Sequence, residues 1–499
     1  MYMPKRYPSM PAIQRCRRKL AFVISFIVIA ARIACAADSA AVLAEILEGK
    51  GVISPQERTL VIEARADQSA QVLAHLLLQK GLLTPSEAER VFIHDVGATV
   101  IPSSQITAAP VPRLQTEAPP PVTSQSKLPV SIYGTILWNS FFNTSGMNNE
   151  DVPLLTAKKG TDTFQNFGMT VRQSRLGLRY QGAEIAGAML SGQVEVDLFG
   201  GKAAVPNGIS MDLVRLRLAY GRLDWKNLSL EAGQDWSVFA PLNPVSLAGF
   251  AIPDFSASGN PWIRSPQLRA ELRHDFNDNE HLLWQIAAAD PDVGDYSPAF
   301  LTLRSPAVGE HGRMPAIETR LAFTGKLAGQ NATIGLSSHY GRGENSGIIG
   351  SLTAKRAVDS WGVALDYTLP LYKRITFSGE AYGGRALGIF SATLGESILP
   401  VGTLGEHGVG TRGGWSQLQF DLTSRWQANM AYGLDIPDRF QLRTGDRWKN
   451  QTYMANVIYR VSRQMAFALE WRRFLTDYKN QPSANDKGDH ANIAVSYTF

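Results

Sequence analysis

From about residue 129 onward the chain is built of short runs in which apolar and polar positions alternate. Leu190, Val194, Val196 and Leu198 alternate with Ser191, Gln193, Glu195 and Asp197. Val214, Leu216, Leu218 and Tyr220 alternate with Arg215, Arg217 and Ala219, and Trp426, Ala428, Met430, Tyr432 and Leu434 with Gln427, Asn429, Ala431 and Gly433. A period of two predicts strands with one apolar and one wet face. A soluble sandwich alternates too, so the spacing of the runs carries more weight. Sixteen runs centre near 135, 174, 194, 216, 231, 270, 285, 319, 336, 363, 378, 419, 430, 456, 469 and 495. Long gaps (143–165, 200–209, 237–264, 290–312, 341–357, 385–412, 436–449, 475–489) alternate with short ones near 181–187, 222–227, 275–280, 325–331, 370–374, 423–425 and 461–464. Short turns at one end, long loops at the other and an even strand number predict an all-β membrane protein, a 16-stranded antiparallel transmembrane β-barrel over 129–499.

Ahead of the barrel the pattern turns helical. Val42, Leu43, Ile46 and Leu47 recur thirty residues on as Val72, Leu73, Leu76 and Leu77, each set one helical stripe. Gly51 and Gly81 end these helices, and Ser54-Pro55-Gln56-Glu57 and Thr84-Pro85-Ser86-Glu87 read as capping boxes with proline at the first helical position. Residues 37–98 are thus a helical repeat on the short-turn, periplasmic side. It is either a module for self-association or for a partner such as peptidoglycan, or a packed spacer. Residues 99–128, with Pro119-Pro120-Pro121, read as an extended linker.

Residues 1–36 carry Lys5, Arg6, Arg15, Arg17, Arg18 and Lys19 before an apolar run from Leu20 to Ala31, and end Ala34-Cys35-Ala36. That is the layout of a secretory signal peptide, and the run is too short to span a bilayer. Lipidation at Cys35 is the alternative, with Arg32 where an aliphatic residue is expected. Removing the segment changes the charge argument. With Arg32 it holds seven of the 49 basic residues and none of the 44 acidic ones, leaving 42 against 44. The basic balance therefore belongs to the leader and argues for no nucleic-acid partner. Both cysteines, Cys16 and Cys35, lie there too, so no disulfide scaffold or cysteine-based metal site is expected after cleavage.

The polar face of the strands supplies the candidate chemistry. Arg175 and Arg179, Glu195 and Asp197, Arg215 and Arg217, Glu231 and Asp235, then Arg269, Glu271 and Arg273 alternate in sign on successive strands. In lipid each Arg would cost ~2–4 kcal/mol at the midplane, so this face should line the lumen. It reads partly as ion pairs bracing the wall, Arg179, Glu195 and Arg215 foremost, and partly as a transverse field acting on solutes. The third long gap, Ser237–Arg264, holds Phe239, Phe250 and Phe255 with Asp254 and Arg264 as its acid and base, and is too apolar to sit comfortably in water. It is the candidate constriction loop. Tyr133, Trp138, Trp415, Trp426, Tyr453, Tyr459 and Trp471 are candidates for the interfacial girdles.

The chain stops on Phe499 after an alternating Ile493, Val495 and Tyr497. In this it resembles outer-membrane proteins recognised by the barrel-assembly machinery. With Ser174-Arg175-Leu176-Gly177-Leu178, Val194-Glu195-Val196-Asp197-Leu198-Phe199-Gly200, Arg215-Leu216-Arg217-Leu218-Ala219-Tyr220 and Ala232-Gly233-Gln234-Asp235-Trp236-Ser237 in order, the chain resembles the DcaP-like and phosphate-selective trimeric porins. The resemblance implies a 16-stranded barrel, a homotrimer and a third external loop folded into the lumen. Two features depart from it: a capped helix repeat replaces a long heptad coiled coil, and no phosphate-selective basic cluster stands out. The expected role is passive diffusion of small hydrophilic, including anionic, solutes across the outer membrane, among lipid and lipopolysaccharide, with no cofactor. The 35 basic and 34 acidic residues of 129–499 give the lumen no overall sign. Two other classes compete. One is a structural barrel whose helices hold the cell wall. The other is a hydrolase using Ser337 and His339, for which no acidic partner and no G-x-S-x-G elbow is apparent. Gly-Glu-His-Gly occurs at 309–312 and again at 405–408; it reads as turn sequence, with metal binding only if the two loops met.

Overall fold

The computed structural model describes residues 44, 47, 48, 53–63, 72, 73, 76, 77, 80, 130–158, 164–201, 212–294, 306–349, 351–480 and 486–499. The expected leader, the linker and the second capping box lie outside these residues. Two compact units divide the chain, one up to Val122 and one from Thr123.

In the first unit the helix α1 runs Pro55–Glu63. Its capping box forms: Glu57 N donates to Ser54 Oγ at 3.3 Å and Ser54 N donates to the Glu57 carboxylate at 2.6 Å. That amide and the Lys80 ammonium, 3.0 Å away, hold the Glu57 carboxyl below its ordinary range. Ala44, Ile53, Val61 and Leu73 are buried together, with Leu47, Val72, Leu76 and Leu77 against them. Leu47 of the first sequence stripe therefore shares a core with the second stripe, while Val42, Leu43 and Ile46 lie outside the described residues.

In the second unit sixteen antiparallel strands close on themselves in sequence order. They are β1 Val130–Asn143, β2 in two pieces (Asn166–Thr170 and Arg175–Ile185), β3 Ala188–Asp197, β4 Arg215–Asp224, β5 Leu228–Trp236, β6 Arg264–Asn277, β7 Glu280–Ala289 and β8 Ala316–Leu327. There follow β9 Gln330–Ile349, β10 Leu352–Tyr372, β11 Ile375–Arg385, β12 Gly410–Asp421, β13 Trp426–Pro437, β14 Arg447–Arg460, β15 Met465–Tyr478 and β16 Asp486–Thr498. Both pieces of β2 pair with β1, so they count as one strand interrupted at 171–174. The ring is sealed by β1 on β16, from Thr135↔Thr498 to Asn143↔His490. At one end the connections are tight. Ala186-Gly187 and Ala328-Gly329 each place two residues at positive φ, the two-residue turn whose twist matches that of a hairpin.

The faces are inverted relative to a soluble protein. Ile334, Leu336, Val363, Leu365, Met430, Leu469 and Ile493 are exposed outward, while Glu318, Ser360, Gln417, Asn429, Asn450 and Arg472 are buried within. Apolar outside, polar inside and no free edge is how a sheet satisfies its backbone in lipid.

Three sequence expectations change. The gap at 341–357 is not a loop. Strands β9 and β10 run on as a ribbon as far as the pair Ile349↔Leu352, and from the pair Gly341↔Ser360 outward they pair only with each other, beyond the ends of β8 and β11. In β4, Leu216 faces Val196 and Leu218 faces Glu195, so Arg217 is the extra residue of a β-bulge. The phase inverts beyond it, and Tyr220 turns inward to donate to Gln193 at 3.1 Å. Of the girdle candidates, Trp415 and Tyr133 also point inward, donating to Glu380 and Glu195 at 3.0 Å each.

Candidate functional site

One side of the lumen wall is a network of arginines and carboxylates contributed by β3 to β6, flanked by the arginines of β2. Arg215 meets Asp197 at 2.6 Å, and Arg217 meets Glu195 at 2.7 Å and Asp197 at 3.0 Å. Arg269 bridges Glu231 at 2.7 Å, Asp235 at 2.9 Å and Glu271 at 3.1 Å. Arg273 lies 3.7 Å from Glu271 and donates to Ser229 at 2.8 Å. The hub of this side is Arg222, which reaches Asp224, Glu231 and Glu271 at 2.9, 3.2 and 2.5 Å. The sequence reading missed it because it placed 222–227 in a turn, whereas β4 runs on to Asp224. The expected grouping of Arg179 with Glu195 and Arg215 does not form: Glu195 takes Arg217, Arg215 takes Asp197, and Arg179 stacks on the Tyr133 ring at 4.2 Å.

The third long connection, 237–263, runs through the barrel interior and is tied to strands around it. Ser237 Oγ donates to Glu318 on β8 at 2.6 Å, and Ala240 N to Ser337 on β9 at 3.2 Å. Leu242 N donates to Glu380 on β11 at 2.6 Å, Val245 N to Gln417 on β12 at 3.0 Å, and Ser246 Oγ to Glu470 on β15 at 2.6 Å. Farther on, Arg472 grips Asp254 at 2.5 Å, both side chains fully buried, and Asn450 donates to Ala257 O at 2.8 Å. Ala240, Phe255 and Ala257 hold positive φ, a local cost of roughly 1–3 kcal/mol each that these ties offset.

The interruption of β2 supplies one more tie. Gln173 Oε1 accepts from Phe250 N and Ala251 N at 2.9 and 2.8 Å, while its Nε2 donates to Ala248 O at 2.9 Å and Asn139 Oδ1 at 3.2 Å. Gln173, Asn139, Glu380, Gln417, Glu470 and Arg472 were all missed in the sequence. The available signal was polar residues in the inward phase of otherwise unremarked strands.

The loop's aromatic candidates separate. Phe239 packs edge-on against Phe390 at 5.1 Å, and Phe255 stacks on Trp415 at 6.1 Å. Phe250 lies beneath the Arg175 guanidinium at 3.5 Å, and Arg175 also donates to Phe250 O. Arg264 is flanked by Trp236 at 4.8 Å and Trp262 at 5.1 Å. Arg175, Arg179 and Arg264 form no ion pair with a carboxylate among the described residues. The loop's acid and base go to different partners, Asp254 to Arg472 and Arg264 to the two tryptophan rings.

Ser337 and His339 both face inward, but they do not bond each other. Ser337 Oγ lies 3.4 Å from Ala364 O, and His339 Nε2 lies 3.2 Å from Ser360 Oγ. The acid not apparent in the sequence is Glu318, directly opposite His339 across the β8–β9 ladder and 3.5 Å away. Nucleophile and base are thus not coupled as hydrolysis requires. The two Gly-Glu-His-Gly segments brace the β9–β10 ribbon. Each Glu closes its own turn, Glu310 accepting from Ala307 N and Glu406 from Gly402 N, both at 2.7 Å. Glu406 also meets Arg356 at 3.0 Å, and His407 contacts Ala357 O at 2.9 Å. Among the described residues no group of three or more His, Cys, Asp or Glu is placed to hold a metal ion.

A closed sixteen-stranded sheet with an apolar exterior, a charged lumen and an inserted third connection has the fold of an outer-membrane channel barrel. Comparison with solved structures gives a particular counterpart: the DcaP outer membrane channel of Acinetobacter baumannii, similar at TM-score 0.55 and 16% identity over 75% of this chain and 99% of that one. Two others are Salmonella typhi OmpF in complex with daunomycin, with TM-score 0.43, 11% identity and 74% and 97% coverage, and Pseudomonas putida OprB at high pH, with TM-score 0.43, 8% identity and 74% and 94% coverage. No protein-family pattern matches the chain. No curated protein matches it either.

Proposed function

We propose that the protein is an outer-membrane porin that passes small hydrophilic solutes through a lumen narrowed by its third loop, with a preference for anions. The observation that carries this reading is the loop 237–263, held inside the barrel opposite a wall of charge. Arg175 and Arg264, which adjoin the loop, and Arg179 farther along β2 have no carboxylate partner among the described residues, which leaves unpaired positive charge on that side although the barrel sequence is nearly neutral. The charged residues of β2 to β6 are the pore lining on this reading, and Phe250, Arg264 and their neighbours the narrow zone.

The remaining organisation follows as part of the same proposal. Residues 1–36 direct secretion, 37–98 form a periplasmic helical unit, 99–128 link it to the barrel, and the barrel assembles as a homotrimer after insertion by the assembly machinery. No catalytic role is proposed. Planar-bilayer recording tests it. Wild-type protein is expected to open in steps of three and to show an anion-selective reversal potential. Deleting 243–258 is expected to raise single-channel conductance, and Arg175→Gln with Arg264→Gln to bring the anion preference toward unity. Unchanged conductance after the deletion removes the loop from its role, and electrical silence removes the porin.

A further inference from the structure

The outward face of β10 to β13 carries a groove at the level of the external loops that the channel reading does not use. Its volume is about 620 Å³, and Trp361 flanks it on one side, Ile436 and Pro437 on the other. In the ladder Val363, Gly383, Arg412 and Ile436 lie side by side across the four strands, all facing outward. The floor is therefore glycine, with Gly383 and Gly410 in the outward phase and bare of side chains. At Gly383 an added Cβ would meet nothing nearer than 3.9 Å.

The rim is cationic and aromatic. Arg412 is exposed, and its side chain forms no hydrogen bond or ion pair among the described residues. Arg439 has only the Trp448 ring, 5.0 Å away, which Lys449 also approaches at 5.9 Å. The acid in the groove, Asp438, has its carboxylate accepting from Phe440 N at 3.0 Å, and Phe440 itself is 84% exposed. Farther along the same face, Leu365 and Met430 belong to the apolar belt. The Arg412 guanidinium one row above that belt, with Arg439 just past the end of β13, sits where hydrocarbon gives way to headgroups, the depth at which an outward Arg ceases to be costly. A planar fork of donors at that depth matches a phosphate, and a bare floor flanked by Trp361 and Ile436 matches an acyl chain.

We infer that this groove binds a phosphorylated acyl glycolipid of the outer leaflet, with its phosphate on Arg412 and Arg439 and a chain over Gly383. The inference rests on the outer-membrane placement and is independent of whether the lumen conducts.

Native mass spectrometry of the full-length protein in detergent provides the test, with bisphosphorylated lipid A, its dephosphorylated form and inorganic phosphate as separate probes. Wild-type protein is expected to retain lipid A at least ten-fold better than either of the other probes. R412Q/R439Q is expected to lose that advantage, and so is Gly383→Leu, which fills the floor and leaves every charge in place. Wild-type protein that does not discriminate lipid A from its dephosphorylated form overturns the site without reference to any variant. Equal retention by wild type and R412Q/R439Q overturns it as well. Binding of inorganic phosphate alone with the same affinity marks a free-anion site and overturns the lipid. Loss of self-association with unchanged lipid retention in R412Q/R439Q marks a contact between copies of the chain and does the same. Lipid retention by a wild-type barrel that carries no current would leave this site standing while removing the porin reading.

Discussion

Gly134 and Phe499 exchange two backbone hydrogen bonds, 3.1 Å from Gly134 N to Phe499 O and 3.0 Å in return, and the Phe499 ring covers the Gly134 Cα. A Cβ at Gly134 would lie 2.6 Å from that ring. The last residue of the chain therefore completes the seam with the first strand. Gly134→Val is expected to lower the yield of closed barrel several-fold on refolding into detergent, read as the fraction showing heat-modifiable migration. A yield equal to wild type would show that the ring moves aside freely.

The Asp254–Arg472 pair is buried on both sides, and Glu470 adds a second acid 3.1 Å from Arg472. Removing one partner leaves charge without compensation in a dry site, at a typical cost of about 3–5 kcal/mol. Arg472→Met is expected to destabilise the barrel to denaturant by that order and to make single-channel current noisier as the loop loosens. A quiet trace with unaltered stability would show that the remaining ties suffice.

Asp292, in the fourth long connection, is buried near Glu318, and burial followed by that charge pushes its carboxyl well above the ordinary range. A folded-state value raised above the unfolded one contributes stability that is complete below the unfolded value and lost as pH rises through the folded one. The connection should thus be held most firmly in acid and loosen toward alkaline pH. Protection of the Gly294 amide, which donates to Ala386 O at 3.1 Å, reports on it. After correction for intrinsic exchange rate, protection is expected to fall with rising pH in wild type and to stay flat in Asp292→Asn. Parallel profiles in the two proteins would remove Asp292 as the cause.

Asn345 anchors the free-standing part of the β9–β10 ribbon, donating to Leu399 O at 2.9 Å and Glu406 O at 3.0 Å. Asn345→Ala leaves both carbonyls short of a donor in a buried place, a penalty of roughly 1–3 kcal/mol. Limited proteolysis is expected to cut within 341–360 faster in the variant, with the barrel fragments otherwise unchanged. Equal cleavage rates would assign the bracing to Arg356 and Glu406 instead.

All sixteen strands were legible in the sequence because lipid and water impose a strict alternation, and each of the sixteen centres falls on its strand or, at 174, in the break of β2. The failures have specific causes. The ribbon from Gly341 to Ser360 rises clear of the apolar belt, so its outward positions include Arg342, Glu344, Lys355 and Asp359, and this polarity imitates a loop. A bulge is one residue with no mark of its own, and Arg217 inverted the reading of everything after it in β4. The Glu318–His339 pair is made by strand register, which local patterns do not contain. Candidate residues on the β2 to β6 wall were found as individuals, but their partners followed the network around Arg222, a residue the sequence reading had placed in a turn.

The break in β2 gives Gln173 all four hydrogen bonds of its amide, three to the third loop and one to Asn139 of the neighbouring strand. Strand and loop are in this way one mechanical part. A shift of residues 248–251 toward or away from the axis must either strip a single side chain of its partners or carry the 171–174 segment with it. Val171 of that segment shows its side chain on the barrel's outer surface. The position of the inserted loop is thereby readable from outside the barrel, by a probe attached to the wall.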